Sequence, residues 1–255
     1  MNNKGFNRVG NEFTSRSEDE ISSGNGMMLL AINSLAQFGP KWDVHLPVFL
    51  TAPALARLLW FDTVYQKAID VPGQIVEFGS QWGASLNTFL LLRMIREPWN
   101  AGRMINSFST FEEGFLSLVD KDGGISQKND YAVARGWDEK LTTILQTHAE
   151  RIPAGSSHFK IMNGDAMITF PKWLAENPEA LISHAHFDMD VYEPTREVLK
   201  LCLTRMPRGA VLIFDELNCP SFPGETRAVQ EVLGISGIAL KKSQFQPYSA
   251  YCVIE

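Results

Sequence analysis

From residue 74 onward, short apolar runs alternate with segments whose apolar positions recur every third or fourth residue. The runs are QIVEFG (74–79), RMINSFST (103–110), HFKIMNGD (158–165), ISHAHFDMD (182–190) and GAVLIFDE (209–216). Each is short enough to be a strand and apolar enough to be covered on both faces. Leu86, Phe89, Leu90 and Met94 in GASLNTFLLLRMI fall at helical spacing, and further helices are expected from Pro194 to about Met206 and from Glu225 to Leu233. Strands alternating with helices imply an α/β fold with a parallel sheet. The last runs, ALKKSQF (239–245) and SAYCVIE (249–255), are joined by a short turn around Pro247. A parallel crossover needs a dozen or more residues, so that pair must be antiparallel. The expected architecture is five parallel strands plus a C-terminal antiparallel hairpin, with helices on both faces.

Ahead of this pattern the chain reads differently. Residues 1 to about 26 are polar and rich in Asn, Ser and Glu, as in a flexible arm. A helix is expected over Met27–Gln37. Another should run from Thr51, its N-cap, through Pro53 in the first turn to Ile69. Two parts follow: an N-terminal arm and helix over 1–50, serving as a lid or an oligomer contact, and the α/β domain over 51–255. The polar stretch from Phe111 to Asn129 is long for a loop, and loops of that length are often lids.

Composition narrows the class. The 255 residues carry 29 acidic and 23 basic side chains, a net charge of -6, which gives no field for a nucleic acid. No apolar stretch reaches the roughly 20 residues of a membrane span, and MNNKGFNRVGNEF lacks the apolar core of a signal peptide. Cys202, Cys219 and Cys252 are far apart and without a CxxC pair, as in a cytoplasmic protein with reduced thiols.

Ligands of such sheets bind beyond the carboxyl ends of the strands. In VEFGSQWGAS, Gly79 and Gly83 permit a sharp turn and close approach to a ligand, and Glu77 suits a cationic group such as an ammonium. The stretch is not GxGxxG, and a tight strand–helix turn accounts for the glycines equally well. Asp165 in NGDA is positioned to cap the next helix, or to accept from an adenine amino group.

His184, His186, Asp188 and Asp190 share one face of their strand by the two-residue period. H-x-H-x-D suggests a zinc hydrolase, but such sites draw histidines from later strands and none follows residue 186. The two histidines are therefore expected to be solvated, at the amino end of the strand. Asp188 has closer company in Asp215 and Glu216, which end the next strand. Neighbouring strands lie about 4.8 Å apart, so these three carboxylates would converge. An all-oxygen set favours a hard cation such as Mg²⁺, or Ca²⁺ or Mn²⁺; the alternative is unrelated acids on solvated loops.

Together, VPGQIVEFGSQWGAS, STFEEGF, NGDA, DMDVYEPT and FDELN…PGETRAV resemble class I S-adenosylmethionine-dependent methyltransferases of the macrocin O-methyltransferase family, over roughly residues 50–235. Within that family the pattern is similar to enzymes that methylate rhamnose in enediyne antibiotic biosynthesis. The resemblance implies a Rossmann-like sheet and S-adenosylmethionine as donor. The donor would be lined by Glu77, Gly79, Ser80, Gly83, Ser85, Ser109, Glu112, Asp165 and Ala166. It further implies Mg²⁺ held by Asp188, Asp215 and Glu216, with Asp188 the catalytic base. The acceptor would be a sugar or glycoside hydroxyl, and the assembly a homo-oligomer. Ser109 stands where the family has an Asp, and Glu216 where it has a second Asp, so ribose recognition falls to Ser109, Glu112 or Glu113. A nicotinamide-dependent oxidoreductase and a catalytically silent nucleotide-binding protein are the rival readings.

Overall fold

A computed structural model of the chain describes residues 6–150 and 158–255. The first five residues of the expected arm lie outside them. The chain divides into two units, one ending at Leu59 and the other beginning at Trp60.

The first unit opens with an antiparallel hairpin, β1 (Asn7–Val9) and β2 (Glu12–Thr14), where only a flexible arm is expected. Helix α1 then runs over Glu18–Ser34, well before Met27. Its start is fixed by a capping box: the Ser17 hydroxyl accepts from the Glu20 N–H, and the Glu20 carboxylate accepts from the Ser17 N–H at 2.7 Å. A short helix α2 (Trp42–His45) follows. None of the described residues of this unit is buried. No single described helix is long and apolar enough to cross a membrane. Helix α3 (Ala52–Tyr65) carries the chain into the second unit, and the Ala54 N–H points to the Thr51 hydroxyl, its expected cap, at 3.4 Å.

The second unit is built on a seven-stranded sheet. Its strands are β3 (Gln74–Phe78), β4 (Ile105–Ser109), β5 (Phe159–Asn163), β6 (Ile182–Phe187), β7 (Val211–Phe214), β8 (Lys241–Lys242) and β9 (Ala250–Val253). The order is β5-β4-β3-β6-β7-β9-β8, with β3 to β7 parallel and the last two antiparallel to their neighbours. The chain leaves β3 toward one edge, then returns to build the other half from β6. The gap between β3 and β6 is therefore the topological switch point, where such sheets bind ligands.

Helices cover both faces. On one face Val76, Phe78, Phe108, Phe187, Leu212 and Phe214 meet α6 (Ala166–Glu176), α7 (Tyr192–Leu203) and α8 (Pro223–Leu233). On the other, Ile75, Ile105, Val211 and Ile213 meet α3, α4 (Ala84–Arg96) and α5 (Trp137–Ala149). This second face also carries Glu77, Ser107, His184 and His186, all fully buried.

The histidines overturn the expectation of solvated side chains at the amino end of their strand. Because β6 lies between β3 and β7 and is covered above and below, both rings are interior. His184 makes two hydrogen bonds, Nδ1 with the Ser183 hydroxyl and Nε2 with the Tyr65 carbonyl, each at 2.9 Å. Burial lowers its pKa to about 4, so the ring is neutral. At the amino edge of the sheet, buried Arg103 bonds the carbonyls of Ile69, Val71 and Gly73, the Ser183 hydroxyl and the Glu97 carboxylate.

Candidate active site

Backbone hydrogen bonds lace the carboxyl ends of the four central strands together. The Gly79 N–H donates to the Phe108 carbonyl at 3.0 Å, Asp188 to Phe78 at 2.9 Å, and Asp215 to Phe187 at 3.1 Å. The tips thus continue the ladder of the sheet. Gly79 has φ +93, and a Cβ there would stand 1.9 Å from the Asp188 carbonyl oxygen. Only glycine fits both the conformation and the space.

This lacing brings together part of the expected metal set. One ring nitrogen of His186 and one carboxylate oxygen each of Asp188 and Asp215 lie within 4.8 Å of one another. Two ligands on opposite sides of one cation at about 2.1–2.3 Å stand about 4.2–4.6 Å apart, so the separation fits a shared ion with little adjustment. Glu216 is not in this group. Its N–H donates to Glu225 Oε1 at 3.0 Å, and its carboxylate pairs with the Cys219 thiol.

Glu225, which carries no role in the sequence reading, is fully buried in the first turn of α8. Burial, and the nearby Asp190, Asp215 and Glu216, push its carboxyl well above the usual range. Its Oε2 has no hydrogen-bond partner. Its signal was an acid in a helix whose Gly224, Ala228 and Val229 are core positions. Asp190 takes φ +61, a rare conformation for a side-chain-bearing residue and one that collects at functional sites.

The expected donor residues lie along the same strand ends. Glu77 is held on both sides: Oε2 accepts from the Ser80 hydroxyl at 2.5 Å, and Oε1 pairs with His186 Nδ1 at 3.1 Å. Its carboxylate therefore faces the sheet interior. Ser80 also meets the Ser107 hydroxyl at 2.6 Å. Gly83, with φ +83, is the N-cap of α4, and a Cβ there would strike Leu141 at 2.5 Å. Ser85 is buried in the first turn of that helix. Ser109 ends β4, and its carbonyl accepts from the Gly164 N–H at 3.0 Å. Glu112 and Glu113 form an exposed turn just beyond it. Asp165 caps α6, accepting from the Met167 N–H at 2.8 Å, and Ala166 opens that helix, buried. Trp82 and Trp137, absent from the sequence reading, meet edge to face with centroids 5.0 Å apart.

A parallel sheet with a glycine turn at its switch point and acids converging from the next two strand ends is a Rossmann-like frame of the kind class I methyltransferases use. Comparison with solved structures agrees. The calicheamicin methyltransferase CalS11 is 33% identical, covers 93% of this chain and 93% of its own, and superposes with a TM-score of 0.85. An apo structure of CalS11, described as a TDP-rhamnose 3'-O-methyltransferase of calicheamicin biosynthesis, gives 32% identity, 93% and 95% coverage and a TM-score of 0.79. The O-methyltransferase NovP shares the fold alone, at 16% identity over 78% and 79% of the chains with a TM-score of 0.54. No protein-family model and no curated protein matches the sequence. The chain belongs to the CalS11 family of O-methyltransferases.

Proposed function

We propose that this protein transfers the methyl group of S-adenosylmethionine to a hydroxyl of a deoxysugar such as rhamnose in antibiotic biosynthesis. The acceptor is a nucleotide sugar or a natural-product glycoside. The observation that carries the proposal is the convergence of Asp188 and Asp215 beside the Gly79 turn, in a chain 33% identical to CalS11.

The donor, when bound, supplies an electrophilic methyl on sulfur. Gly79, Ser80, Gly83, Ser85, Ser109, Glu112, Asp165 and Ala166 border its place. Glu77 contributes from beneath, by fixing Ser80 at the turn. Asp188 and Asp215 are the residues that would hold a divalent cation, Mg²⁺ on the oxygen ligands alone, with Glu216 nearby in sequence. When bound, the ion lowers the pKa of a hydroxyl on it. Asp188 would take the proton of the acceptor hydroxyl as the hydroxyl oxygen gains the methyl and the carbon–sulfur bond breaks, leaving S-adenosylhomocysteine; general bases of this kind contribute roughly 10²–10⁴ in rate.

The assembly is proposed to be a homo-oligomer. Met27, Met28, Leu29, Leu30 and Ile32 of α1 are 41–63% exposed in a unit none of whose described residues is buried, an apolar surface that a second copy would cover. Three free, buried cysteines fit a cytoplasmic location.

The test uses TDP-rhamnose and S-adenosylmethionine. Turnover is expected to cease with EDTA and to return with added divalent ion. Asp188→Asn should lower turnover by at least about 10²-fold while S-adenosylhomocysteine still binds. Full activity in EDTA, or in Asp188→Asn, would reject the metal-and-base mechanism.

A further inference from the structure

We infer that His186 supplies a third protein ligand to the divalent ion, and that the site prefers a first-row transition ion to Mg²⁺. This deepens the functional reading above and rests on its metal site.

The imidazole is fully buried within strand β6. Glu77 Oε1 takes Nδ1, at 3.1 Å. The Phe61 and Phe89 rings meet the imidazole edge to face, with centroids at 5.2 and 5.8 Å. Nε2 is left buried and without a hydrogen-bond partner. A buried ring nitrogen in that state is costly unless something absent from the protein takes it.

The surroundings say what that is. A ring nitrogen of His186 lies within 4.8 Å of carboxylate oxygens of both Asp188 and Asp215, and Nδ1 is already committed. Two carboxylates flanking a nitrogen lone pair form a site for a cation, not for an anion or an apolar group. The Glu77 contact is the support that metal-bound histidines commonly have: a carboxylate on the far nitrogen fixes the tautomer and aims the other nitrogen at the metal. Ser80 and Ser107 extend it, Ser80 donating to Glu77 Oε2 and meeting the Ser107 hydroxyl. The period of the strand supplies the geometry, since residues 186 and 188 share a face and Asp215 follows the neighbouring strand.

The donor set also selects the ion. Mg²⁺ is served by oxygen ligands and water, whereas imidazole suits transition ions. One imidazole with two carboxylates therefore moves the preference toward ions such as Mn²⁺ and Co²⁺.

Pulsed electron paramagnetic resonance of Mn²⁺ bound to the full-length protein tests this. The protein is prepared with ¹⁵N-histidine in an otherwise ¹⁴N background, with S-adenosylhomocysteine present. Directly coordinated ¹⁵N is the expected result, together with Mn²⁺ binding at least about tenfold tighter than Mg²⁺. Both ring nitrogens of His184, the neighbouring histidine on this strand, are occupied, and the His186→Gln variant separates His186 from His45, His148 and His158. His186→Gln should abolish it and weaken Mn²⁺ binding about tenfold or more. If that variant does not fold, His186→Asn serves in its place, compared with a His45→Gln, His148→Gln double variant whose coupling should persist. Bound Mn²⁺ without histidine coupling, or coupling that survives in folded His186→Gln, overturns the inference and leaves a carboxylate site standing. Failure to bind Mn²⁺ at all overturns both this inference and the metal in the proposed mechanism.

Discussion

The backbone of Gly79 and the carbonyl of Asp188 are packed so closely that a single methyl group on the glycine would stand 1.9 Å from the carbonyl oxygen. The turn proposed to face the donor and the strand tip that carries the candidate base are therefore one mechanical unit. Gly79→Ala must displace Asp188 as well as strain its own φ of +93. The expected loss is at least about 2 kcal/mol of stability, with S-adenosylhomocysteine binding and turnover lost together. Thermal unfolding with a parallel ligand titration checks both.

Arg103 ties the amino ends of β3, β4 and β6 through three backbone carbonyls, a serine hydroxyl and Glu97. Arg103→Met keeps much of the side-chain volume but removes the cation from Glu97, which keeps only Tyr65 and Asn100, and the donor from those carbonyls. Losing one partner of a buried pair costs about 3–5 kcal/mol. Urea unfolding should show that drop.

Asp122 pins the long polar stretch after β4. It is buried, with Oδ1 accepting from the Tyr192 N–H at 2.5 Å and Oδ2 from the Val119 N–H at 2.8 Å. Beside it Lys121 bonds the Tyr192 hydroxyl and Glu231. Asp122→Ala should cost about 1–3 kcal/mol, the range for leaving buried donors unsatisfied. It should also make trypsin cleavage at Lys121 and Lys128 faster in limited proteolysis, while the parent resists.

The thiols give a pH signature. Burial raises Cys252 to about 11 and Cys219 to about 12, and holds Cys202 well above the ordinary value of 9.0. A raised acid favours the folded state below its unfolded pKa, and that contribution disappears as pH climbs through the folded value. Iodoacetamide at pH 8 should alkylate the native protein at least about a hundredfold more slowly than the urea-unfolded chain. Stability should decline above about pH 9, and mass spectrometry of the three peptides follows the first effect directly.

How much of this was legible follows from particular residues. β3, β4, β6 and β7 were plain because strands covered on both faces read as unbroken apolar runs. The convergence of Asp188 and Asp215 followed from neighbouring strands ending in acids. Helix α5 escaped notice because WDEKLTTILQTHA turns only Leu141, Leu145 and Ala149 inward. Helix α6 was legible only from its Asp165 cap, because Pro171 in its interior breaks the expected pattern. The start of α1 was readable in Ser17-x-x-Glu20 but passed as arm. His186 was misjudged because a two-residue period says which face a side chain takes, not whether that face is wet. The contact that settles it, with Glu77, spans 109 residues and no local pattern contains it.

Since Gly79, Asp188 and Asp215 each hang from a carbonyl at the end of an adjoining strand, their spacing is inherited from the pitch of the sheet rather than from loop conformation. The proposed reaction centre, mounted that way, stays put while the rim around it varies. New acceptors can then be accommodated by rebuilding the rim alone, with the machinery underneath carried along unaltered.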